Sequence, residues 1–257
     1  MTWIIGRGGP FGHAVGISDI RITLPDRSSH DCLRKLYKLG PQLVLGFAGS
    51  VQIGLEMVSQ LAAILGADDD RGIWDPRGVA DRLPVGAKAF FHTFPPKLRA
   101  KGCQLILLSA HPKESDGLHT RCFVHRFTAP DFHPIEARAG EIVSIGSGAT
   151  IGPYADALSK LGSDMEMFKL ELGFPGGSGL ALMMSISSLL KRNPSRGISQ
   201  RLQVCLVGRD SIRLGSNTRE EPDADEQDRM PSLATSMEEL NQLLTGYSAA
   251  DIALATC

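Results

Sequence analysis

Thr2, the second residue of the chain, carries groups that could do chemistry by themselves. The sequence opens MTWIIG over Met1–Gly6 and shows no leader, so removal of Met1 would leave an amine and a hydroxyl group on one residue. A threonine hydroxyl group needs an adjacent base, and an α-amino group with an unperturbed pKa near ~8 can be that base. The opening therefore predicts an N-terminal threonine nucleophile, although threonine is also a common second residue.

Other catalytic motifs have little support in the sequence. Seven histidines are scattered without H-x-x-x-H or H-E-x-x-H spacing, and no G-x-S-x-G motif occurs, which argues against metal hydrolysis and a serine–histidine triad. Asp68–Asp70 lacks the spaced ligands of a calcium loop and predicts solvated loop charge. The glycines of Gly6–Gly12 miss the dinucleotide fingerprint by one residue and predict a turn. We therefore expect no metal and no cofactor.

Composition narrows the classes of partner. The 257 residues are 42% hydrophobic and carry 27 basic and 28 acidic residues, for a net charge of −1, so no overall field favours nucleic acid or an anionic membrane. Five cysteines form no C-x-x-C pair, which argues against a disulfide framework. With no apolar run near the ~18 residues of a membrane span and no signal peptide pattern, we expect a cytoplasmic protein that acts on a peptide, protein or small molecule.

The hydrophobic pattern predicts four strands, two helices, four strands, two helices and two strands. The first strands are Trp3–Arg7, His13–Ser18, Lys35–Leu39 and Leu43–Ala48, with a polar loop ending at Asp31. The helices are Val51–Leu65, much of 78–98 with breaks at Pro84 and Pro95–Pro96, Pro153–Leu161 and Gly179–Leu190. The later strands are Gln104–Ser109, Arg121–Phe127, Asp131–Ala137, Ile142–Ile145, Gln203–Val207 and Ser211–Leu214. This order favours an α+β domain of two packed sheets covered on both outer faces.

The last forty residues differ in composition from the rest. Residues 219–226 are charged and nearly devoid of apolar side chains, which predicts a solvated linker. Met237–Leu244 then has the pattern of a short amphipathic helix that ends at Gly246. We therefore divide the chain into a domain at 1–217 and a tail at 218–257.

Four positions in register carry a family resemblance. They are Thr2, Asp19, Lys35 and the Gly49 of Gly46–Ser50, and Lys35 precedes Gly49 by fourteen residues. In this spacing the chain resembles the proteasome β-subunit family, including its bacterial HslV-like relatives, from Thr2 to about Asn217. Further along the chain, the sequence Gly146-Ser147-Gly148 is similar to the second-half serine motif of that family, although a glycine–serine turn before a helix is also ordinary capping chemistry.

The resemblance implies a fold, an activity and an assembly. The fold is a four-layer αββα sandwich of the N-terminal nucleophile hydrolase type, and the activity is that of a threonine-type endopeptidase or amidohydrolase. The implied assembly is a homo-oligomeric ring or stack, with an ATP-dependent unfoldase as a candidate partner. No helical extension precedes the first strand, which favours a β-type subunit.

The resemblance also implies a role for each site residue. Lys35, as a buried ammonium group, lowers the pKa of the Thr2 amine by like-charge repulsion, and Asp19 keeps Lys35 charged and oriented. Gly49 presents its N–H group to the oxyanion, and Ser147 orients the amine. Each residue also has an ordinary structural explanation, since Asp19 could cap a turn and Lys35 could be a solvated strand residue.

The first specificity pocket of the resembled family has counterparts here, and they are all uncharged. They are Leu33, Phe47 and Val51, with Ile22 and Tyr37 nearby. Phe47 would fill the pocket floor, so we expect small or medium apolar side chains to be preferred. A charged side chain would lose its hydration without gaining a partner in such a pocket, so we expect both basic and acidic side chains to be rejected.

One stretch departs from the family pattern. Before the penultimate strand the family has an aspartate, then a serine three residues later and glycines, which hold the threonine amine. In Asn193–Ser199 only Gly197 clearly matches, with Asn193 at the aspartate position and Arg196 at the serine position; Ser195 or Ser199 could substitute. This departure keeps open a second hypothesis, a catalytically silent proteasome-like subunit that acts as a scaffold or interaction partner.

Overall fold

The computed structural model describes residues 2–9, 12–66, 75–115, 120–138, 140–162, 177–218 and 229–255. Three predicted features fall outside these ranges: part of the first turn at 10–11, the acidic loop at 68–70 and the charged linker at 219–226. Within the described ranges the chain is an α+β structure in which all strand pairs of the sheets are antiparallel.

The strands form two five-stranded sheets and one short ribbon. In chain order they are β1 (Ile4–Gly8), β2 (Ala14–Asp19), β3 (Arg21–Thr23), β4 (Ser29–Asp31), β5 (Leu36–Gly40), β6 (Leu43–Gly49), β7 (Cys103–Ser115), β8 (Thr120–Thr128), β9 (Ile135–Glu136), β10 (Ile142–Ile145), β11 (Leu202–Val207) and β12 (Ile212–Ser216). The first sheet has the order β10-β1-β2-β11-β12, the second has the order β5-β6-β7-β8-β9, and β3 pairs with β4.

Helices flank both sheets. They are α1 (Val51–Gly66), α2 (Pro76–Thr93), α3 (Pro96–Arg99), α4 (Gly152–Gly162), α5 (Gly177–Arg192) and α6 (Met237–Ala255), with a one-turn 3-10 helix at Ser147–Thr150. The apolar residues fall into three buried clusters. One cluster lies between the two sheets and includes Ile4 of β1 and Ile106 of β7. The second joins the first sheet to α4 and α5, and the third joins the second sheet to α1 and α2.

Burial on both faces explains the near-continuous apolar runs of the first strands. Every residue of β1 and β2 is buried, because one face of this sheet meets the second sheet and the other meets helices. Both strands therefore lack the alternation of polar and apolar residues that marks a half-exposed sheet. Both strands are therefore held inside the protein. Thr2 lies two residues before β1, and Asp19 is the last residue of β2.

The structure corrects several predicted boundaries. Pro84 does not break α2, because Val79, Leu83 and Ala87 bury one continuous apolar face across it, which outweighs the backbone hydrogen bond that proline removes. The polar loop before Asp31 contains β4, whose Asp31 pairs with Arg21 of β3 across the ribbon.

Two further elements differ in length from their predictions. β9 has two residues instead of the seven of Asp131–Ala137, because Phe132 has a φ of 52° and Pro134 lacks an N–H group for the ladder. Helix α6 starts at Met237 and continues through Gly246 to Ala255.

Candidate active site

Thr2 lies two residues before β1 and is held by the turn that follows β10. With Met1 in the chain, the Thr2 nitrogen is an amide group, and it donates a hydrogen bond to Ser147 Oγ at 3.0 Å. The Thr2 carbonyl oxygen accepts hydrogen bonds from Ser147 Oγ at 3.3 Å and from the Gly148 nitrogen at 3.2 Å. Thr2 is 8% exposed. Its backbone is held by these hydrogen bonds, and the residue lines a cavity.

Asp19 and Lys35 form a buried ion pair, and Asp19 is hydrogen-bonded to the residue that follows Thr2. Lys35 Nζ donates to Asp19 Oδ1 at 2.8 Å and to the Arg21 carbonyl oxygen at 2.6 Å, and both side chains of the pair are inaccessible to solvent. The same Asp19 oxygen accepts from the Trp3 nitrogen at 2.7 Å. Burial lowers the pKa of Lys35, and the Asp19 carboxylate partly offsets that effect.

Gly49 ends β6 at the rim of a cavity of about 460 Å³, whose lining includes Thr2, Gly49, Gly146 and Ser147. Gly49 has a φ of 101°, and a Cβ atom there would lie 2.5 Å from the Gly102 carbonyl oxygen. Only glycine accommodates both constraints. Of the site residues predicted for chemistry, the structure brings Thr2, Gly49 and Ser147 together at the cavity. Asp19 and Lys35 do not line it; they lie in the protein interior, where Asp19 contacts Trp3.

Cys103 also lines this cavity and is a second nucleophile in principle. Burial raises the pKa of its thiol to about 12, so the group is protonated near neutral pH and the reactive thiolate is scarce. Cys103 is therefore a poor candidate for a thiolate nucleophile at this cavity.

Gln104, Trp3 and Tyr154 are residues near the site that were missed from the sequence. Gln104 Oε1 accepts a hydrogen bond from the Gly146 nitrogen at 2.8 Å and so anchors the turn that carries Ser147. Trp3 stacks on Tyr154 with 4.7 Å between ring centroids. Gln104 could have been noticed in the sequence, because it is a polar residue at the start of an apolar run. The Trp3–Tyr154 stack joins segments about 150 residues apart, so no sequence pattern indicated it.

The predicted pocket residues divide into two groups. Ile22 and Val51 line a second cavity of about 510 Å³, which shares Gly49 and Lys101 with the cavity at Thr2. Leu33 and Phe47 instead lie in the apolar core. Tyr37 stacks on Phe47 at 6.0 Å and donates its hydroxyl group to the Arg34 carbonyl oxygen at 2.7 Å.

Lys101 changes the electrostatics expected of this pocket. Its side chain is exposed and lines both cavities, so a positive charge is available where the sequence suggested an uncharged lining. Lys101 was not among the pocket residues predicted from the sequence, and the rejection of basic and acidic side chains stays a prediction.

The divergent segment Asn193–Ser199 makes its hydrogen bonds away from Thr2. Ser199 Oγ donates to Asp31 Oδ2 at 2.6 Å, and the carbonyl oxygen of the exposed Arg196 accepts from Arg21 Nη1 at 3.3 Å. The Asn193 carbonyl oxygen accepts from the Tyr154 hydroxyl group at 2.6 Å. Among the contacts that the structure describes, the segment is therefore linked to the site through Asn193, which holds the tyrosine that stacks on Trp3.

The rest of the described structure adds no metal site or membrane helix. Among the described residues, no group of three or more histidine, cysteine, aspartate or glutamate side chains could hold a metal ion. No helix in the described part of the chain is long and apolar enough to cross a bilayer. Comparison of the sequence with models of known protein families gives no match, and comparison with curated proteins gives none either.

Proposed function

We propose that the chain is a threonine-type peptidase or amide hydrolase that uses Thr2 as its nucleophile after removal of Met1. The observation that carries the proposal is the position of Thr2, whose nitrogen lies 3.0 Å from Ser147 Oγ at the edge of a cavity. The buried Asp19–Lys35 pair reaches the next residue, Trp3, through Asp19. Together these contacts support the resemblance to the proteasome β-subunit family.

The arrangement of apolar clusters supports the fold implied by that resemblance. One cluster joins the two five-stranded sheets, and each sheet joins a pair of helices through another. This order of contacts is what a four-layer αββα sandwich requires. We therefore include that sandwich, and a homo-oligomeric ring or stack that acts on peptide or protein substrates, in the proposal.

The proposed reaction is acyl transfer through an ester of Thr2. The free amine takes the proton of the Thr2 hydroxyl group, the hydroxyl oxygen bonds to the substrate carbonyl carbon, and Gly49 donates its N–H group to the oxyanion. The amine then gives the proton to the leaving nitrogen, and the amide bond breaks. Water adds to the ester, the acid leaves, and the hydroxyl group of Thr2 is restored.

Lys35 would prepare the amine for this role. A buried positive charge close to an amine disfavours its protonation and lowers its pKa. The neutral amine is the active form, so activity is expected to fall as the pH drops through the pKa of the amine. Ser147 would keep the amine oriented, because it accepts a hydrogen bond from the Thr2 nitrogen.

A second candidate is a catalytically silent subunit of the same fold. The observation in its favour is that the described hydrogen bonds of Asn193–Ser199, which include those to Arg21, Asp31 and Tyr154, include none to Thr2. Intact mass of the purified protein separates the candidates cheaply. Loss of Met1 frees the amine, and retention of Met1 supports the silent subunit.

The decisive experiment is the Thr2→Ala variant. We expect it to lose hydrolysis of peptide amides by several orders of magnitude, because removal of a nucleophile disables the whole catalytic unit. The fold is expected to remain, as measured by circular dichroism and thermal unfolding. The matched control is Thr93→Ala, which changes an exposed threonine near the end of α2 and should keep full activity. An active Thr2→Ala protein would rule out the proposal.

A further inference from the structure

The segment that follows residue 228 returns to the candidate active site. Ala234 forms a parallel bridge with Leu33: its nitrogen donates to the Cys32 carbonyl oxygen at 2.7 Å, and its carbonyl oxygen accepts from the Arg34 nitrogen at 3.1 Å. Residues 32–34 lead directly into Lys35. The segment is therefore tied by backbone hydrogen bonds to the stretch of chain that carries the buried lysine.

The start of α6 is fixed by a reciprocal cap. Ser236 Oγ accepts from the Glu239 nitrogen at 3.2 Å, and Glu239 Oε2 accepts from the Thr235 nitrogen at 2.7 Å and from its hydroxyl group at 2.8 Å. Such a cap satisfies backbone donors that a helix start otherwise leaves free. With Ala234 bridged to Leu33 just before the cap, the direction and rotation of α6 are fixed against the domain.

One face of α6 closes the second cavity. Met237, Leu240, Asn241 and Leu244 line it, and their spacing of three, four and seven residues puts them on one side of a helix. Ile22 and Val51 line the cavity from the domain side. Leu240 is 4% exposed and belongs to the same apolar cluster as Ile22. The cavity is thus formed jointly by the domain and the C-terminal helix.

We infer that α6 is a wall of the substrate site and limits the size of the side chain that the second cavity accepts. The occupant is an apolar side chain of a peptide substrate, at the residue before the scissile bond. This inference rests on the proposed function. The second cavity shares Gly49 and Lys101 with the cavity at Thr2, the proposed nucleophile. Leu244 lines the cavity one helical turn beyond Leu240, and we expect it to limit the entry of large side chains.

Two neighbouring leucines provide a matched pair for the test. Leu243 and Leu244 are both half-buried and both pack against the same apolar cluster, but only Leu244 lines the cavity. Leu244→Ala enlarges the cavity, whereas Leu243→Ala removes the same number of atoms elsewhere on α6. The substrates are peptide amides that differ only in carrying alanine, leucine, phenylalanine or tryptophan before the scissile bond.

Leu244→Ala is expected to raise the kcat/KM of the tryptophan peptide relative to the alanine peptide by roughly tenfold, since a few methylene groups discriminate to this extent. Leu243→Ala is expected to leave that ratio unchanged. Equal ratios in the wild type and Leu244→Ala would overturn the inference. Equal shifts in both variants would also overturn it, because α6 would then act only through the stability of the fold.

Binding of the same peptides to Thr2→Ala protein separates this inference from the proposed function. Calorimetry gives the Kd values of the tryptophan and alanine peptides for Thr2→Ala protein with and without each leucine substitution. The ratio of the two Kd values should shift with Leu244→Ala and not with Leu243→Ala. If the wild type cleaves nothing while this ratio shifts, the catalytic proposal fails and the pocket stands. If Thr2-dependent cleavage is present and neither ratio moves, the pocket inference fails alone. Absence of peptide binding also overturns it.

Discussion

The carboxylate of Asp19 accepts hydrogen bonds from three groups, one of which belongs to the residue that follows Thr2. They come from the Trp3 nitrogen, Lys35 Nζ and the Arg21 nitrogen. An ion pair out of reach of solvent contributes little net stability, because both charges lose their hydration. In the proposed mechanism the pair acts through the electrostatic effect of Lys35 on the Thr2 amine and not through stability.

Replacement of Lys35 by methionine tests that effect. Lys35→Met preserves most of the side-chain volume and removes the charge, so we expect hydrolysis to fall by a factor of about 10²–10⁴. Asp19→Asn should reduce it less, because the amide oxygen can still accept from Trp3 and Lys35. Rates at saturating peptide concentration would be measured across pH.

The control for this substitution is Lys38→Met, which removes an exposed lysine of β5 and should leave the rate unchanged. Full activity of Lys35→Met with an unchanged pH profile would contradict the proposed effect on the amine.

The lowered pKa of Lys35 also predicts how stability depends on pH. Between that lowered pKa and the ordinary value of 10.5, the unfolded chain binds more protons at this residue than the folded protein does. The contribution of Lys35 to the free energy of unfolding therefore rises as the pH increases towards 10.5. It is lost as the pH falls through the pKa that Lys35 has in the folded protein. The free energy of unfolding of the wild type, relative to an Asp19→Asn/Lys35→Met double variant, should rise with pH in that window. Urea unfolding at several pH values measures it, and a flat or falling difference would contradict the shift.

Sequence reasoning at the scale of single residues depended on fixed spacings. The spacings between Thr2, Asp19, Lys35 and Gly49 lie within one run of strands, where register determines which residues meet. Gln104 and Lys101 were missed because their position at the cavity depends on how β7 pairs with β6 and on the turn that precedes it. The sequence of one strand alone does not reveal such cross-strand neighbours.

At the scale of elements, the turn between β10 and the 3-10 helix controls the position of Ser147. Gly146 has a φ of 84°, and a Cβ atom there would overlap the Thr2 carbonyl oxygen. Its nitrogen is held by Gln104. The turn is therefore shaped by a backbone conformation that other residues rarely adopt and by direct contact with the backbone of Thr2.

Gly146→Ala should displace Ser147 from Thr2. We expect it to destabilise the fold by about 1–3 kcal/mol, the usual range for a strained backbone residue, and to reduce hydrolysis more than the loss of stability explains. Gly152→Ala is the matched control, since nothing lies within 4 Å of its added Cβ atom at the start of α4. Thermal unfolding and peptide hydrolysis of both variants check the prediction, and equal activity in the two would contradict it.

The elements that sequence patterns predicted best were those buried on a face with a clear period. Helix α1 was predicted over Val51–Leu65 and extends over Val51–Gly66, because its apolar residues recur at helical spacing. β4 was missed because it is stabilised by the Arg21–Asp31 pair and carries no apolar pattern. The continuation of α6 through Gly246 was missed because glycine often marks the end of a helix in a sequence. A helix interior nevertheless tolerates a single glycine.

At the scale of the whole molecule, the α+β class followed from the order of elements, since runs of strands and runs of helices alternate along the chain. The closure of the second cavity by α6 could not be predicted in this way. The composition of residues 219–226 predicts only a solvated stretch, and nothing in it indicates where the chain beyond this stretch packs. The bridge of Ala234 to Leu33 is a long-range contact that only the folded structure supplies.

The proposed assembly into a ring or stack predicts an apolar contact surface between copies. On α5, Leu180 is 50% exposed and Met184 is 63% exposed, and residues four apart lie on the same face of a helix. Met184→Glu would force a charge into that contact without a partner, so it should convert the assembly to smaller species. Sedimentation velocity measures the change. Val85→Glu, at an isolated exposed position on α2, should leave the assembly intact. A monomeric wild type, or an unchanged assembly in Met184→Glu, would contradict the use of α5 as a contact between subunits.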